Sequence, residues 1–182
     1  MRKIPLAAGL AVLLLGAFWI AGNMGDSSSR EGANNGGSVQ NIKQLVADYS
    51  SHKLAAGSAS INSRELIINA GTGGEQSYAL PSDEFFVSIA PYIENTHPCA
   101  THSLTGCQGE LKNQDFQVRI EDADGKAVVD QQVTSQSNGF IDLWLPRDQT
   151  FTVTIEQGGK QAVSELSTFE QDDTCIASMQ LM

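Results

Sequence analysis

Basic residues are scarce in this chain. Among its 182 residues, 11 Lys and Arg stand against 21 Asp and Glu, a formal net charge of −10. That deficit leaves no basic face for phosphate contacts and excludes nucleic acid as a partner. It also leaves no Lys/Arg-rich helix to lie on an anionic membrane surface. Cysteine is rarer still, with three residues. Three are too few for a disulfide-dense scaffold, and an odd count leaves at least one thiol without an intramolecular partner. Against these shortages, 41% hydrophobic and 18% charged residues make a globular chain, long enough for one ordinary domain or two small ones.

Arg2 and Lys3 precede an apolar run from Ile4 to Ala21, the pattern of a secretory signal, so residues 1–25 read as a signal peptide or N-terminal anchor. The run is short for a permanent span and is interrupted by Gly9 and Gly16. Export in this style places the mature chain in a bacterial periplasm or outside the cell, compartments that permit disulfides. Residues 26–38 (DSSSREGANNGGS) are polar and Gly/Ser/Asn-rich, and read as a disordered linker.

From there the chain divides into a small α+β region, 39–95, and a β-sandwich domain, 96–182. Val39, Ile42, Leu45, Val46 and Tyr49 recur at helical spacing. Brief β-type runs follow at Ser58–Ile61, Glu65–Asn69 and Gln76–Leu80, and Phe85–Ile93 is apolar enough for a buried strand. Beyond Phe116 the rhythm is all-β. Phe116, Val118 and Ile120 alternate with polar neighbours, and four further runs (Val128–Val133, Phe140–Leu145, Phe151–Ile155, Ala162–Leu166) precede a last one at Cys175–Leu181. Turns at Asp122–Lys126, Asn138–Gly139, Pro146–Asp148 and Gly158–Gly159 separate them. The expected fold is mainly β: a small N-terminal α+β region followed by an antiparallel, Ig-like β-sandwich.

The chemistry is concentrated in one loop. Thr96–Glu110 reads THPCATHSLTGCQGE, so His97, Cys99, His102 and Cys107 fall within eleven residues, and Pro98 and Gly106 mark the segment as a loop. Cys175 opens the last β run, at an end that can meet this loop in a sandwich. One reading is a structural disulfide and a spare thiol: a Cys107–Cys175 bridge would close a long loop and contribute about 4 kcal/mol. That does not explain why two histidines share the loop. The other reading is a soft-metal site. Three thiolates suit Cu(I) in a trigonal arrangement, whereas zinc would take four ligands from the Cys and His available. His97 or His102 would either ligate Cu(II) through imidazole nitrogen or support a cysteine by hydrogen bonding.

The segment His97-Pro98-Cys99 through Leu104-Thr105-Gly106-Cys107-Gln108-Gly109-Glu110 resembles the CueP family of bacterial periplasmic copper-binding proteins. So do Asp83–Pro91, Asn138–Asp148 and Asp173–Ala177, and the resemblance runs from about Ile42 to Leu181. It implies that Cys99, Cys107 and Cys175 ligate copper. It implies periplasmic copper tolerance, copper supply to a secreted Cu,Zn superoxide dismutase, and thiol-driven reduction of Cu(II). It also implies a homodimer formed through the N-terminal region.

Other patterns carry less. Asp122-x-Asp124-Gly125 lacks the later Glu of a calcium loop and reads as a hairpin turn. The acidic run Glu170, Asp172 and Asp173 reads as a solvated turn that would raise local cation concentration. His52 reads as a surface residue, and no nucleophile-elbow or Cys-x-x-Cys motif supports hydrolase or thiol–disulfide exchange chemistry. A metal-free exported binding module, stapled by one disulfide, is the alternative from a different class.

Overall fold

The computed structural model describes residues 39–182; the leader and the linker lie outside the described residues. Helix α1 (Val39–Ser50) turns Ile42, Val46 and Tyr49 inward and leaves Leu45 half-buried at the margin, as the apolar spacing predicts. It stops where His52 takes a left-handed backbone (φ 58°) and donates its N–H to the Tyr49 carbonyl.

This helix packs against the first sheet. Strands β1 (Ala59–Ile61), β2 (Glu65–Ile68) and β3 (Gln76–Ala79) form an antiparallel meander, and β5 (His102–Ser103) adds to the free edge of β1. The β1–β2 turn is closed by Asn62, whose side-chain oxygen accepts the N–H groups of Arg64 and Glu65. Strand β5 lies inside the segment expected to be loop. Two residues cannot display a period, and the pairing of Ser60 with Ser103 and Ile61 with His102 comes from the neighbouring edge.

The sandwich follows the alternation in the sequence. One sheet has the order β10-β9-β6-β7, built from β6 (Asp115–Glu121), β7 (Ala127–Thr134), β9 (Thr150–Gln157) and β10 (Lys160–Ser167). Opposite it lies β11-β4-β8, from β4 (Glu84–Ile89), β8 (Ile141–Pro146) and β11 (Cys175–Ile176). Phe85, Val87 and Ile89 of β4 share a core with Phe116, Val118 and Ile120 of β6, Ile141, Leu143 and Leu145 of β8, and Phe151, Val153 and Ile155 of β9. The other face of β4 sends Phe86 into the core beneath α1. Burial on both faces explains why this strand reads as an unbroken apolar run.

Two features depart from the sequence expectation. The last run is a strand only at Cys175–Ile176, and it runs parallel to β4. Ala90 donates to the Ile176 carbonyl but Tyr92 donates to that of Met179, so beyond Pro91 the pairing resumes one residue out of step. The strand ends at that slip.

Candidate metal centre

Three segments meet at the end of β4. Cys175 sits on β11 opposite Ser88, with its sulfur facing Ala90 and Phe140. The backbone N–H groups of Thr174 and Cys175 both donate to the carbonyl of Ala100, at 3.0 Å each, which fixes this strand against the loop. Thr174 Oγ1 donates to the Ile61 carbonyl at 2.7 Å and accepts the N–H of His102 at 3.1 Å. One buried hydroxyl thus joins β1, β5 and β11.

Cys107 is set by a tight turn. Its N–H and that of Gly106 donate to the Ser103 carbonyl, and Ser103 N–H donates back to the Cys107 sulfur at 3.4 Å. A side chain at Gly106 would place Cβ 2.9 Å from Ser103 Oγ, a contact relieved only if that hydroxyl rotates away. The legs of the loop are held together further down. His97 Nε2 lies 3.2 Å from the Gln108 carbonyl, and the Glu110 carboxylate accepts the N–H groups of Ile93, Glu94 and Asn95.

The result is a triangle of sulfur. Cys99 and Cys107 Sγ are 3.5 Å apart, and the sulfurs of Cys99, Cys107 and Cys175 all lie within 4.8 Å of one another. A metal bonded to three sulfurs at about 2.3 Å spaces them about 4 Å apart, so the set is close to ligand geometry. All three thiols are free; the Cys107–Cys175 staple contemplated from the sequence is not formed, because all three sulfurs face one centre without any pair bonding. The group comprises sulfur alone. His97 is occupied at the Gln108 carbonyl, and His102 is wholly buried, its ring centroid 4.6 Å from that of Phe140 and 6.2 Å from that of Phe86. Neither nitrogen of His102 has a partner at hydrogen-bonding geometry. His52 lies on the surface near Ser137.

The electrostatics single out one sulfur. Cys107 is held well below the ordinary thiol value, chiefly by the proton that Cys175 directs at it, with Ser103 N–H and Cys99 adding to the effect against the opposing influence of burial. Cys175 is correspondingly pushed up, because it keeps that proton and because it is buried. Cys99 is raised by burial above all, with the nearby charges of Cys107 and Asp173 adding to the effect. The triad therefore carries one thiolate hydrogen-bonded by its neighbours, and a soft cation would displace the remaining protons. Three polarisable donors against an apolar wall suit a soft metal.

Residues 39–180 match the family described as periplasmic copper-binding protein CueP. The chain belongs to the CueP family. A solved structure described as "Crystal Structure of S.CueP" is 36% identical, covers 78% of this chain and 88% of its own, and superposes with a TM-score of 0.72. No curated protein matches the chain. The family is one of periplasmic copper-binding proteins, and in this CueP chain the three cysteines form a cluster able to hold a metal. No helix among the described residues is long and apolar enough to cross a membrane. Sequence reasoning found the three sulfurs. It missed Thr174, whose hydroxyl ties β1 and β5 to the Cys175 strand, and Glu110, whose carboxylate ties the legs of the loop, although both stand within three positions of a cysteine.

Proposed function

We propose that this CueP protein holds Cu(I) in the periplasm as a trigonal tris-thiolate of Cys99, Cys107 and Cys175. The observation that supports this most is the convergence of three sulfurs from two distant parts of the chain, with no oxygen or nitrogen ligand in the group. The same thiols reduce incoming Cu(II). Oxidation of two thiolates to one disulfide releases two electrons, each of which converts one Cu(II) to Cu(I). The disulfide removes two of the three ligands, so the product is released to an acceptor, and a dithiol reductant of the envelope must restore the site. His97, on the exposed leg of the loop, takes the role of first contact for Cu(II), whose preference for imidazole nitrogen fits it. His102 is buried with both ring nitrogens unpaired, and a turn of the ring toward Cys107 would let it support the thiolate from within. Copper tolerance, supply of copper to a secreted Cu,Zn superoxide dismutase, and dimerisation through the N-terminal region complete this reading.

Replacing each cysteine singly by Ser, with Cu(I) affinity read by competition against a chromophoric chelator, tests the site. Each replacement is expected to weaken binding sharply. Two silent replacements out of three would remove the trigonal centre. Adding Cu(II) to the reduced protein should yield Cu(I) and consume thiols one for one; copper left as Cu(II) with all thiols intact would remove the reduction step.

A further inference from the structure

The two cysteines of the loop are brought together by a ladder of contacts between its legs. The top rung is the pair itself, Cys99 and Cys107, with sulfurs 3.5 Å apart. Below it His97 Nε2 meets the Gln108 carbonyl at 3.2 Å. At the foot, the Glu110 carboxylate accepts three successive backbone N–H groups, from Ile93 at 2.7 Å, Glu94 at 3.0 Å and Asn95 at 3.2 Å. Three consecutive N–H groups aimed at one point form an anion-binding concavity, and here the anion is supplied by the chain itself. Those bonds hold Glu110 well ionised, since they favour its charged form.

The position of this carboxylate is what gives it consequence. Cys99 lies four residues beyond Asn95, and Cys107 lies three before Glu110. Glu110 therefore closes the loop at its base and fixes how far apart the two legs start. Next to it, Gly109 N–H donates to the Asn138 carbonyl, and a Cβ on Gly109 would fall 2.6 Å from the Gly139 carbonyl oxygen. That close passage anchors only the Gly109 leg. Residues 93–95 depend on Glu110 for their attachment to it. Ile93 is also held from the other side, packed against the sandwich core and accepting Gln180 Nε2 at its carbonyl at 2.9 Å.

We propose that Glu110 is a positioning residue for the thiol centre: its clamp on the Ile93–Asn95 backbone sets the approach of Cys99 to Cys107. The copper consequence rests on the function proposed above, but the clamp itself is a property of the metal-free chain. Without it, the Cys99 leg keeps its bonds to the C-terminal segment, from Gln180 Nε2 to the Ile93 carbonyl, from Thr96 Oγ1 to the Ala177 carbonyl and from the Thr174 and Cys175 N–H groups to the Ala100 carbonyl. It loses its tie to the base of the Cys107 leg, so the spacing of Cys99 from Cys107 is what changes.

Glu110→Gln and Glu110→Ala in the full chain test this. The deciding readout needs no metal. In a Cys175→Ser background, the equilibrium of the Cys99–Cys107 dithiol with glutathione reports the effective concentration of one thiol at the other. That concentration is expected to fall about tenfold or more in Glu110→Ala, and by less in Glu110→Gln, which keeps one acceptor oxygen. A change smaller than about threefold overturns the proposal. With Cys175 present, Cu(I) affinity should fall about 10–100-fold, the range seen when a supporting partner of a metal ligand is removed. X-ray absorption should then count two sulfurs around copper in place of three. If the parent protein itself fails to bind Cu(I), the copper reading falls while the glutathione equilibrium still decides the clamp. If the Ala variant does not fold, the near-isosteric Gln variant carries the measurement against the same threefold limit.

Discussion

Thr174 Oγ1 accepts the backbone N–H of His102 at 3.1 Å while donating to the carbonyl of Ile61. Through that one hydroxyl, the strand carrying Cys175 is locked to the loop that carries the other two cysteines. Thr174→Val keeps the shape and removes both bonds, leaving a buried N–H and a buried carbonyl unpaired. We expect a loss of about 1–3 kcal/mol in urea unfolding of the metal-free protein. Weaker Cu(I) binding should accompany it, because Cys175 loses its registration. Unchanged stability would mean that water replaces the hydroxyl.

Reactivity of the thiols should be unequal. Cys107 lies below the ordinary thiol value, so its thiolate persists at neutral pH and is lost only as pH falls through that lowered value. An ordinary thiol loses reactivity about tenfold per pH unit below its own pKa. Iodoacetamide should therefore modify Cys107 first, at a rate nearly flat from about pH 8 to about pH 6. Cys175, shifted upward and buried, should resist it. Peptide mapping of partially alkylated protein decides the order.

Gly139 adopts a positive φ of 84°, and a Cβ there would lie 2.6 Å from the Gly109 carbonyl oxygen. The obstacle is backbone, which cannot swing aside as a side chain would. Gly139→Ala should cost about 2 kcal/mol or more in denaturant unfolding. It should also disturb the Gly109 leg of the cysteine loop, visible as altered Cys107 alkylation.

Arg147 binds the two cores together. Its Nε donates to the Glu84 carbonyl at 2.8 Å, its terminal nitrogen donates to the Ser63 carbonyl, and its guanidinium lies 5.5 Å from the Phe85 ring centroid. Arg147→Met retains the stem and deletes those bonds, and a loss of about 1–3 kcal/mol in thermal or urea unfolding is expected. The thiol centre is distant in the fold, so Cu(I) affinity of the folded variant should stay close to that of the parent.

Much of this molecule is legible in the order of its residues. The helical spacing of Ile42, Val46 and Tyr49, the alternation at Phe116, Val118 and Ile120, and the positive-φ glycines at 125, 139, 158 and 159 each impose their local structure, because side-chain period and backbone sterics act over a few residues. The soft donor set is likewise written in the chain, since thiolate chemistry belongs to the residue wherever it lies. Pairing and convergence are different. That β5 joins β1, that β11 runs parallel to β4, and that Thr174 and Glu110 hold the sulfurs in place depend on contacts between residues far apart in sequence. Those contacts are hydrogen bonds whose partners exist only once both cores have packed, so tertiary structure alone decides whether three cysteines are three thiols or one centre.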